Sequence, residues 1–265
     1  MKRITVANQK GGLGKTAIST NLARYFASYG AKVLFLDLDI QGNASFTLEK
    51  YNCEYTACDL LTKRLEHKPS KIVPYELCDG CKEGSITLAM ASKDLATLDF
   101  SKRLEFRDNF EHNLREFNYF DMIIIDTPPT LSDSLGIALQ ISHNVFVPIE
   151  PDIFSLRGLE KLLTTISNAR SSMDNRHLRT MGVCFSRVAK GRPRPQNYIN
   201  DLKKKIGGIL FEPVIYYRDS VAEALNIQTD IRLLAKNKTA ARKAKNEFEQ
   251  VFLEVARRIN YNLEA

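Results

Sequence analysis

Apolar runs of strand length alternate along the chain with longer segments of helical period. Several of these runs are apolar almost throughout, as strands covered on both faces are. Strand–helix alternation of this kind predicts an α/β fold: a doubly wound, mostly parallel sheet with helices on both faces. The predicted strands are Ile4–Ala7, Val33–Leu38, Ile86–Met90, Met122–Ile125, Val145–Ile149, Thr180–Phe185 and Leu210–Ile215. The predicted helices lie at about 16–29, 103–117, 133–142, 155–171, 196–206 and 240–260.

The pattern shows no internal repeat and no linker, so residues 1–265 are predicted to form a single domain. Residues 50–85 fit the pattern least and are interpreted as short helices and loops. They contain four cysteines, which as thiolates are able to bind zinc or an iron–sulfur cluster. Their spacing is irregular for a zinc ribbon, so reduced cysteines are the favoured interpretation and a metal site stays open. These cysteines are Cys53, Cys58, Cys78 and Cys81.

Composition and charge narrow the class of protein. The 265 residues are 44% hydrophobic, enough to bury a substantial core. The net charge of +7 favours an anionic partner such as nucleic acid about as much as it favours a protein that is simply basic. The chain begins without a secretory signal, and no apolar stretch approaches the ~20 residues that span a bilayer. With an odd number of cysteines, a cytosolic protein without a membrane partner is expected.

A glycine-rich loop, Gly11-Gly-Leu-Gly-Lys-Thr16, follows the first predicted strand and leads into a helical pattern. This is the context that a phosphate cradle requires. Glycines let main-chain N–H groups close around a phosphate, and the helix adds the positive end of its dipole. Lys15 is expected to reach the β- and γ-phosphates, and the Thr16 hydroxyl to ligate Mg²⁺. The usual pattern has one more glycine where this chain has Gln9, and this loop carries an extra lysine, Lys10.

Aspartates at the ends of two apolar strands support the same interpretation. Asp126 follows Met122–Ile125, the position expected of a carboxylate that holds Mg²⁺ directly or through water. Alternation along the second strand puts Asp37 and Asp39 on one face, near the carboxyl edge where ligands bind in such sheets. A single aspartate at a strand end is more often a cap or turn residue. Three of them in register with a phosphate loop indicate a nucleotide site.

Three segments together resemble the deviant Walker A, A′ and Walker B motifs of the ParA/MinD family: Lys10–Thr16, Asp37–Asn43 and Ile125–Pro129. The resemblance extends across nearly the whole chain. It implies an ATP-hydrolysing switch that uses Mg²⁺ and forms a homodimer around ATP. It also implies that Lys10 reaches the partner's nucleotide, while Asp39 is needed for hydrolysis and orients the attacking water.

The resemblance assigns further roles to individual residues. Lys10, Lys15 and Asp39 are the implied catalytic residues, whereas Thr16, Asp39 and Asp126 are the implied Mg²⁺ site. Ala17 replaces a common Thr or Ser, and Tyr216-Tyr-Arg218 stands where the family often has Pro-Arg-Asn near the base. The implied ATP-binding residues are Lys10, Gly11, Gly12, Leu13, Gly14, Lys15, Thr16, Ala17 and Arg218.

Basic residues late in the chain favour the ParA type within this family, a partition ATPase that binds non-specific DNA in its ATP-bound dimer. By resemblance, a ParB-like centromere-binding protein stimulates hydrolysis, and the cytoplasmic protein associates with the nucleoid. The cargo would be a plasmid, an integrative element or a chromosome region. Doubled by a two-fold axis, the basic residues would form a stripe for phosphate backbones, although a solvated helix face is the alternative. The candidates are Arg187, Lys190, Arg192, Lys236, Lys238 and Arg242.

A MinD-like ATPase that associates with membranes or positions a protein assembly is the nearest alternative. Phe248, Phe252, Val255 and Ile259 have helical spacing near the C-terminus, but the residues after them are polar and end on an acidic tip. The apolar stripe is therefore predicted to pack in the core and not on a membrane. Because the sequence starts at its first predicted strand, we expect the short ParA type, without an N-terminal DNA-reading extension.

Overall fold

The computed structural model describes residues 1–75, 83–172, 175–189 and 196–263. Within these ranges, one mostly parallel sheet has the strand order β3-β5-β2-β6-β1-β7-β8, and β4 pairs antiparallel with β5. This confirms the predicted α/β fold with a mostly parallel sheet. The strands are β1 (Lys2–Val6), β2 (Lys32–Asp37), β3 (Asn52–Thr56), β4 (Val73–Pro74), β5 (Ser85–Met90), β6 (Met122–Asp126), β7 (Asn144–Ile149) and β8 (Arg179–Phe185).

Helices connect the parallel strands and cover the sheet. All six predicted helices are present, each within two residues of its predicted ends. The described residues also contain the short helix α3, within the segment predicted to form short helices and loops, and three short α-helices that were not predicted, α2, α8 and α9. The helices are α1 (Lys15–Ser28), α2 (Asn43–Thr47), α3 (Ala57–Thr62), α4 (Arg103–Phe117), α5 (Asp133–Ile141), α6 (Ile153–Ser172), α7 (Gln196–Ile206), α8 (Asp219–Asn226), α9 (Ile231–Asn237) and α10 (Thr239–Arg258).

The central strands bury both of their faces, which explains their continuous apolar runs. In β2, Val33 and Phe35 pack in a core shared with α1 and α10. Leu34 and Leu36 point to the opposite face, where they join α3, α4 and α5. Full burial of each such side chain contributes about 1.5–3 kcal/mol. The two layers of helices therefore hold the sheet, and with it the carboxyl edge, in a fixed geometry.

The predicted strand Leu210–Ile215 is wrong as a regular strand. This segment runs beside β8, where the Phe211 N–H donates to the Val183 carbonyl at 2.8 Å and the Ile215 N–H donates to the Phe185 carbonyl at 2.9 Å. Only isolated bridges form, one of them between Leu210 and Val183. Pro213 lies between the two hydrogen bonds and has no N–H to donate, so a continuous ladder cannot form.

Residues 50–85 contain more strand than the prediction of short helices and loops allowed. β3 pairs in parallel with β5 at the edge of the sheet, and it leads directly into α3. A capping box starts α3: the Thr56 side chain accepts the Asp59 N–H, and the Asp59 carboxylate accepts the Thr56 N–H. Among the described residues of this segment, the helix α3 and the connecting loops agree with the prediction.

Two of the four clustered cysteines, Cys53 and Cys58, are buried and free. Burial raises the pKa of Cys53 to about 11 and also raises the pKa of Cys58, which disfavours the thiolate. Cys78 and Cys81 lie outside the described residues. In the part of the chain that the structure describes, no three His, Cys, Asp or Glu residues are grouped to hold a metal ion.

The apolar stripe of α10 packs into the core, as predicted. Phe248 and Phe252 are 2% exposed, while Val255 and Ile259 are fully buried. These side chains contact α1 and the sheet and are not available for a membrane surface. Among the described residues, no helix has the length and apolarity needed to cross a bilayer.

Candidate functional site

The predicted phosphate loop and both aspartate-bearing strands meet at one edge of the sheet. Val6 at the end of β1 and Asp37 at the end of β2 are both register partners of Asp126 at the end of β6. Parallel strands that end level bring their following loops together, which is where ligands bind in this class of sheet. The structure therefore confirms that these segments converge, although they are separated by up to 120 positions in the chain.

The loop between β1 and α1 depends on its glycines. Gly12 has φ 76° and Gly14 has φ 77°, in the left-handed region that other residues avoid. Gly14 is the N-cap of α1, so the helix starts directly at the loop and its first N–H groups have no intrahelical acceptor. The Ser186 hydroxyl donates to the Leu13 carbonyl at 2.9 Å and anchors the loop to the end of β8. This backbone geometry is an anion cradle.

Lys15 and Thr16 place a cation and a hydroxyl at the base of the cradle. Lys15 is 6% exposed, and its Nζ donates to the Lys10 carbonyl at 3.3 Å. Burial lowers the pKa of Lys15, while the carboxylates of Asp126 and Asp39 act in the opposite direction. The Thr16 hydroxyl donates to Asp126 Oδ2 at 2.8 Å. A phosphate-binding ammonium and a candidate Mg²⁺ ligand therefore lie side by side.

Asp126 is buried and incompletely satisfied. Its Oδ1 accepts no hydrogen bond from any described residue. Burial raises the pKa of Asp126 to about 7, and the nearby Asp37 adds to the shift. Bound Mg²⁺ typically takes one or two carboxylates, with substrate phosphates and water completing its ligands. The Thr16 hydroxyl and the Asp126 carboxylate fit such a site.

Asp37 is an anchor for the loop after β2, a function that the sequence did not indicate. Its Oδ2 accepts the Ser45 N–H and the Ser45 hydroxyl, each at 2.7 Å, and its Oδ1 accepts the Asp39 N–H at 3.1 Å. Burial raises the pKa of Asp37 to about 6. Asp39 lies on the wall of the nucleotide-sized cavity, and its Oδ1 accepts the Gln41 N–H at 3.0 Å. Asp37 thus fixes the position of Asp39.

A cavity of about 470 Å³ extends from the phosphate loop along the end of α2 and along α8. This volume lies in the range of small-molecule sites. Its far half is apolar and aromatic, lined by Phe46, Tyr217, Leu225 and Phe248. Of the predicted ATP-binding residues, the lining includes Gly12, Leu13, Gly14, Lys15, Thr16, Ala17 and Arg218, while Lys10 and Gly11 lie outside it.

Lys10 is held by acidic residues of its own chain. Its Nζ donates to Glu150 Oε2 at 2.5 Å and to Asp152 Oδ2 at 3.0 Å, and its side chain is 42% exposed. The hydrogen bond to Glu150 raises the pKa of Lys10, so the ammonium stays charged. Both partners follow β7, at the same edge of the sheet as the phosphate loop. In this conformation Lys10 is beside the cavity without lining it.

Arg218 lines the cavity, but its guanidinium is paired with a carboxylate of its own chain. It forms a two-point ion pair with Glu247 of α10, and Glu247 also accepts the Tyr216 N–H at 3.2 Å. The hydrogen bond to Glu247 raises the pKa of Arg218. This pairing ties the wall of the cavity to the C-terminal helix. Direct contact between Arg218 and a nucleotide base stays a prediction.

Arg187, which the sequence grouped with a DNA-binding loop, instead lines the nucleotide cavity. It has φ 54°, its guanidinium lies 4.9 Å from the centre of the Tyr217 ring, and its Nε is 3.6 Å from Glu150. β8 ends directly beside the phosphate loop, where the Ser186 hydroxyl bonds to the Leu13 carbonyl, and this brings Arg187 to the cavity wall. A contact between Arg187 and DNA stays a prediction.

Of the other five candidate DNA contacts, three lie in the described part of the chain. Lys236 and Lys238 lie at the end of α9 and beyond it, and Arg242 lies on α10, all three exposed. Lys238 pairs with Glu223, and the Arg242 Nε donates to the Ala235 carbonyl at 3.1 Å. These three residues form a local basic surface, while Lys190 and Arg192 lie outside the described residues.

Comparisons with known proteins agree with this geometry. A family model described as an AAA domain matches residues 1–180. The chromosome-partitioning ATPase Soj of Thermus thermophilus is 30% identical over 256 residues, which cover 96% of this chain and 97% of that protein. Protein IncC of Escherichia coli is 34% identical over 249 residues, which cover 93% of this chain but only 66% of IncC.

A solved structure, an ATP complex of McdA from Cyanothece, shares the fold. Its TM-score is 0.75 at 19% identity, with 99% of this chain and 97% of that chain covered. At this level of identity the likeness concerns the fold alone. The mostly parallel sheet with surrounding helices is the fold of ParA-type P-loop NTPases.

Proposed function

The chain belongs to the ParA/MinD family of P-loop ATPases, and we propose that it is a ParA-type partition ATPase: a switch that dimerises with ATP, binds non-specific DNA in that state and hydrolyses ATP. The observation that carries the proposal is the cradle itself. Two left-handed glycines, the buried Lys15 and the Thr16–Asp126 pair all lie beside a cavity of nucleotide size. The partition ATPase Soj is similar over nearly its whole length.

Nucleotide binding follows from the backbone and two side chains. The N–H groups at the start of α1 and the Lys15 ammonium would bind the phosphates, with the base in the apolar half of the cavity. Thr16 and Asp126 would hold Mg²⁺, and Asp39, which lines the same cavity as Thr16, would contribute to the site. Bound Mg²⁺ neutralises charge on the β- and γ-phosphate oxygens. The unpaired Oδ1 of Asp126 supports this assignment.

Hydrolysis needs positioning more than covalent chemistry by the protein. Asp39, fixed through Asp37, would orient the attacking water. Lys10 would supply a positive charge to the nucleotide of the partner subunit in the homodimer. In the monomer, Glu150 and Asp152 hold Lys10 instead. Weak basal ATPase activity is expected, because the site is complete only in the dimer.

Exposed apolar side chains next to the site support dimerisation across the mouth of the cavity. Ile40 follows Asp39, Leu131 lies in the loop between β6 and α5, and Phe154 lies two residues after Asp152. Their exposed fractions are 47%, 54% and 73%, so each leaves apolar surface in water. A second copy of the chain would cover these side chains as it brings Lys10 to the partner's nucleotide.

DNA binding is proposed to be sequence-independent. Lys236, Lys238 and Arg242 are exposed around the start of α10, and a two-fold dimer would present them twice. Contacts to phosphates release counterions, so affinity would fall steeply with salt. A ParB-like partner is proposed to stimulate hydrolysis and release the dimer from the nucleoid. The buried stripe of α10 does not favour the membrane-associated alternative.

A gel shift with duplex DNA of arbitrary sequence tests the proposal. Wild-type protein is expected to shift DNA with Mg·ATP but not with Mg·ADP, less strongly at each step of a salt series. Asp39→Ala should retain the ATP-dependent shift while ATP turnover falls roughly 10²-fold or more, because water is no longer oriented. A shift that is independent of nucleotide, or an Asp39→Ala variant that turns over ATP normally, would refute the proposed switch.

A further inference from the structure

Two side chains join two of the segments that line the apolar half of the cavity, the half where the base is proposed to lie. One wall segment is the end of α2, at Phe46 and Thr47, and the other is the end of α8, at Leu225. Gln228 lies just after α8, and its Nε2 donates to the Phe46 carbonyl at 2.7 Å and to Glu49 Oε2 at 3.2 Å. The hydrogen bonds of this one amide hold the two walls at a set distance.

Arg24 makes the same connection from inside the molecule. It is 2% exposed and lies on α1, the helix that begins at the phosphate loop. Its Nη1 donates to the Thr229 carbonyl at 2.7 Å, and its Nη2 donates to the carbonyls of Thr47 and Gln228 at 3.1 and 3.3 Å. Arg24 therefore connects both walls to α1, the helix that would bind the phosphates.

Gln228 has a left-handed backbone, φ 54°, because it caps the C-terminus of α8. The Gln228 N–H donates to the Leu225 carbonyl at 3.0 Å, and the Thr229 N–H donates to the Ala224 carbonyl at 2.9 Å. A left-handed conformation costs free energy in a residue that has a side chain, a cost that glycine does not carry. The residue of this cap is also the one whose side chain reaches across to Phe46.

We propose that Gln228, supported by Arg24, is a positioning residue that sets the width of the base half of the cavity and so contributes to recognition of the nucleotide base. The inference rests on the proposed binding of ATP. A planar base packs well between two walls only if their separation is fixed, whereas the phosphates are bound by α1 and its loop. Loss of the connection should therefore weaken only the part of the affinity that depends on the base.

The variant Gln228→Gly separates this role from a general effect on folding. Glycine removes both side-chain hydrogen bonds and relieves the backbone, so the unfolding temperature should stay at or above that of the wild type. By isothermal titration calorimetry, the Kd for Mg·ATP should rise roughly 3- to 10-fold, as expected for one or two lost hydrogen bonds. The Kd for Mg·tripolyphosphate, which has no base, should stay within about twofold of the wild-type value.

Asn260→Gly is the matched control, because Asn260 also has a left-handed backbone, φ 52°, but follows α10 and does not line the cavity. It should change neither Kd. An unchanged Kd of Gln228→Gly for Mg·ATP would overturn the inference, and so would an equal loss of affinity for both ligands. Wild-type protein that binds tripolyphosphate but not ATP, or neither, would overturn the proposed function as well.

Discussion

At the scale of single residues, the chemistry of the phosphate site is local and was therefore accessible from the sequence. Gly12, Gly14, Lys15 and Thr16 are consecutive or nearly so, and their roles follow from one loop and one helix start. Arg187 is the contrasting case. Its neighbours in the chain are basic and suggest DNA, but its neighbours in space are a nucleotide cavity and an aromatic ring.

The two assignments of Arg187 predict different phenotypes. Arg187→Ala should weaken binding of Mg·ATP roughly 3- to 10-fold, since a cation next to the bound phosphates is lost. The salt dependence of DNA binding should not change. Lys236→Ala is the matched variant and should behave in the opposite way, lowering the slope of log affinity against log salt by about 1 with normal ATP binding. Calorimetry and salt-series gel shifts measure both; a DNA defect in Arg187→Ala with normal ATP affinity would restore the original assignment.

At the scale of elements, strands with continuous apolar runs were predicted well, and a strand of mixed composition was not. β2 and β6 are covered on both faces, so their sequences are apolar almost throughout and predict a strand. β3 was missed because it lies at the edge of the sheet and carries Asn52 and Glu54 among its five residues. The segment Leu210–Ile215 is apolar enough for a strand, but Pro213 interrupts its pairing with β8. Edges and interruptions depend on the neighbours that a segment meets, which local pattern does not contain.

The packing of that irregular segment on β8 requires Gly182. A Cβ at this position would overlap the Phe211 ring and meet the Arg258 guanidinium. Gly182→Ala is therefore expected to lower the free energy of unfolding by about 1–3 kcal/mol, as overpacking does. Gly158→Ala serves as the control: it lies inside α6 with open space around it and should raise stability by about 0.5–1 kcal/mol. Urea denaturation of both variants decides, and equal stabilities would show that β8 accommodates the extra methyl group.

At the scale of the whole molecule, the site is an assembly of distant segments. The cavity is lined by the phosphate loop, by the loop after β2, by the end of β8 and by α8 and α10. The motifs pointed to the loop before α1, and most of the residues predicted there line the cavity. They did not predict the base half, because its shape depends on Arg24 and Gln228, whose contacts reach across as many as 205 positions in the chain.

The distribution of the basic residues over different surfaces can be seen only in the whole molecule. From the sequence, the net charge of +7 fitted a nucleic-acid partner and a simply basic protein about equally. The structure divides the basic residues: Lys15 and Arg187 face the cavity, Lys10 is held by Glu150 and Asp152, and Lys236 is exposed on another surface. Under the proposed function, nucleotide binding and DNA binding would use separate groups of cations, which a homodimer would couple.

The central claim is that the main-chain cradle before α1 binds a magnesium-bound triphosphate. Isothermal titration calorimetry with folded protein and Mg·ATP tests it most directly. We predict saturable binding of one nucleotide per chain, weakened when EDTA removes Mg²⁺ and abolished or strongly weakened in Lys15→Ala, whose folding is verified by circular dichroism. Absence of any heat of binding with well-folded wild-type protein, or equal binding by Lys15→Ala without Mg²⁺, would contradict the account.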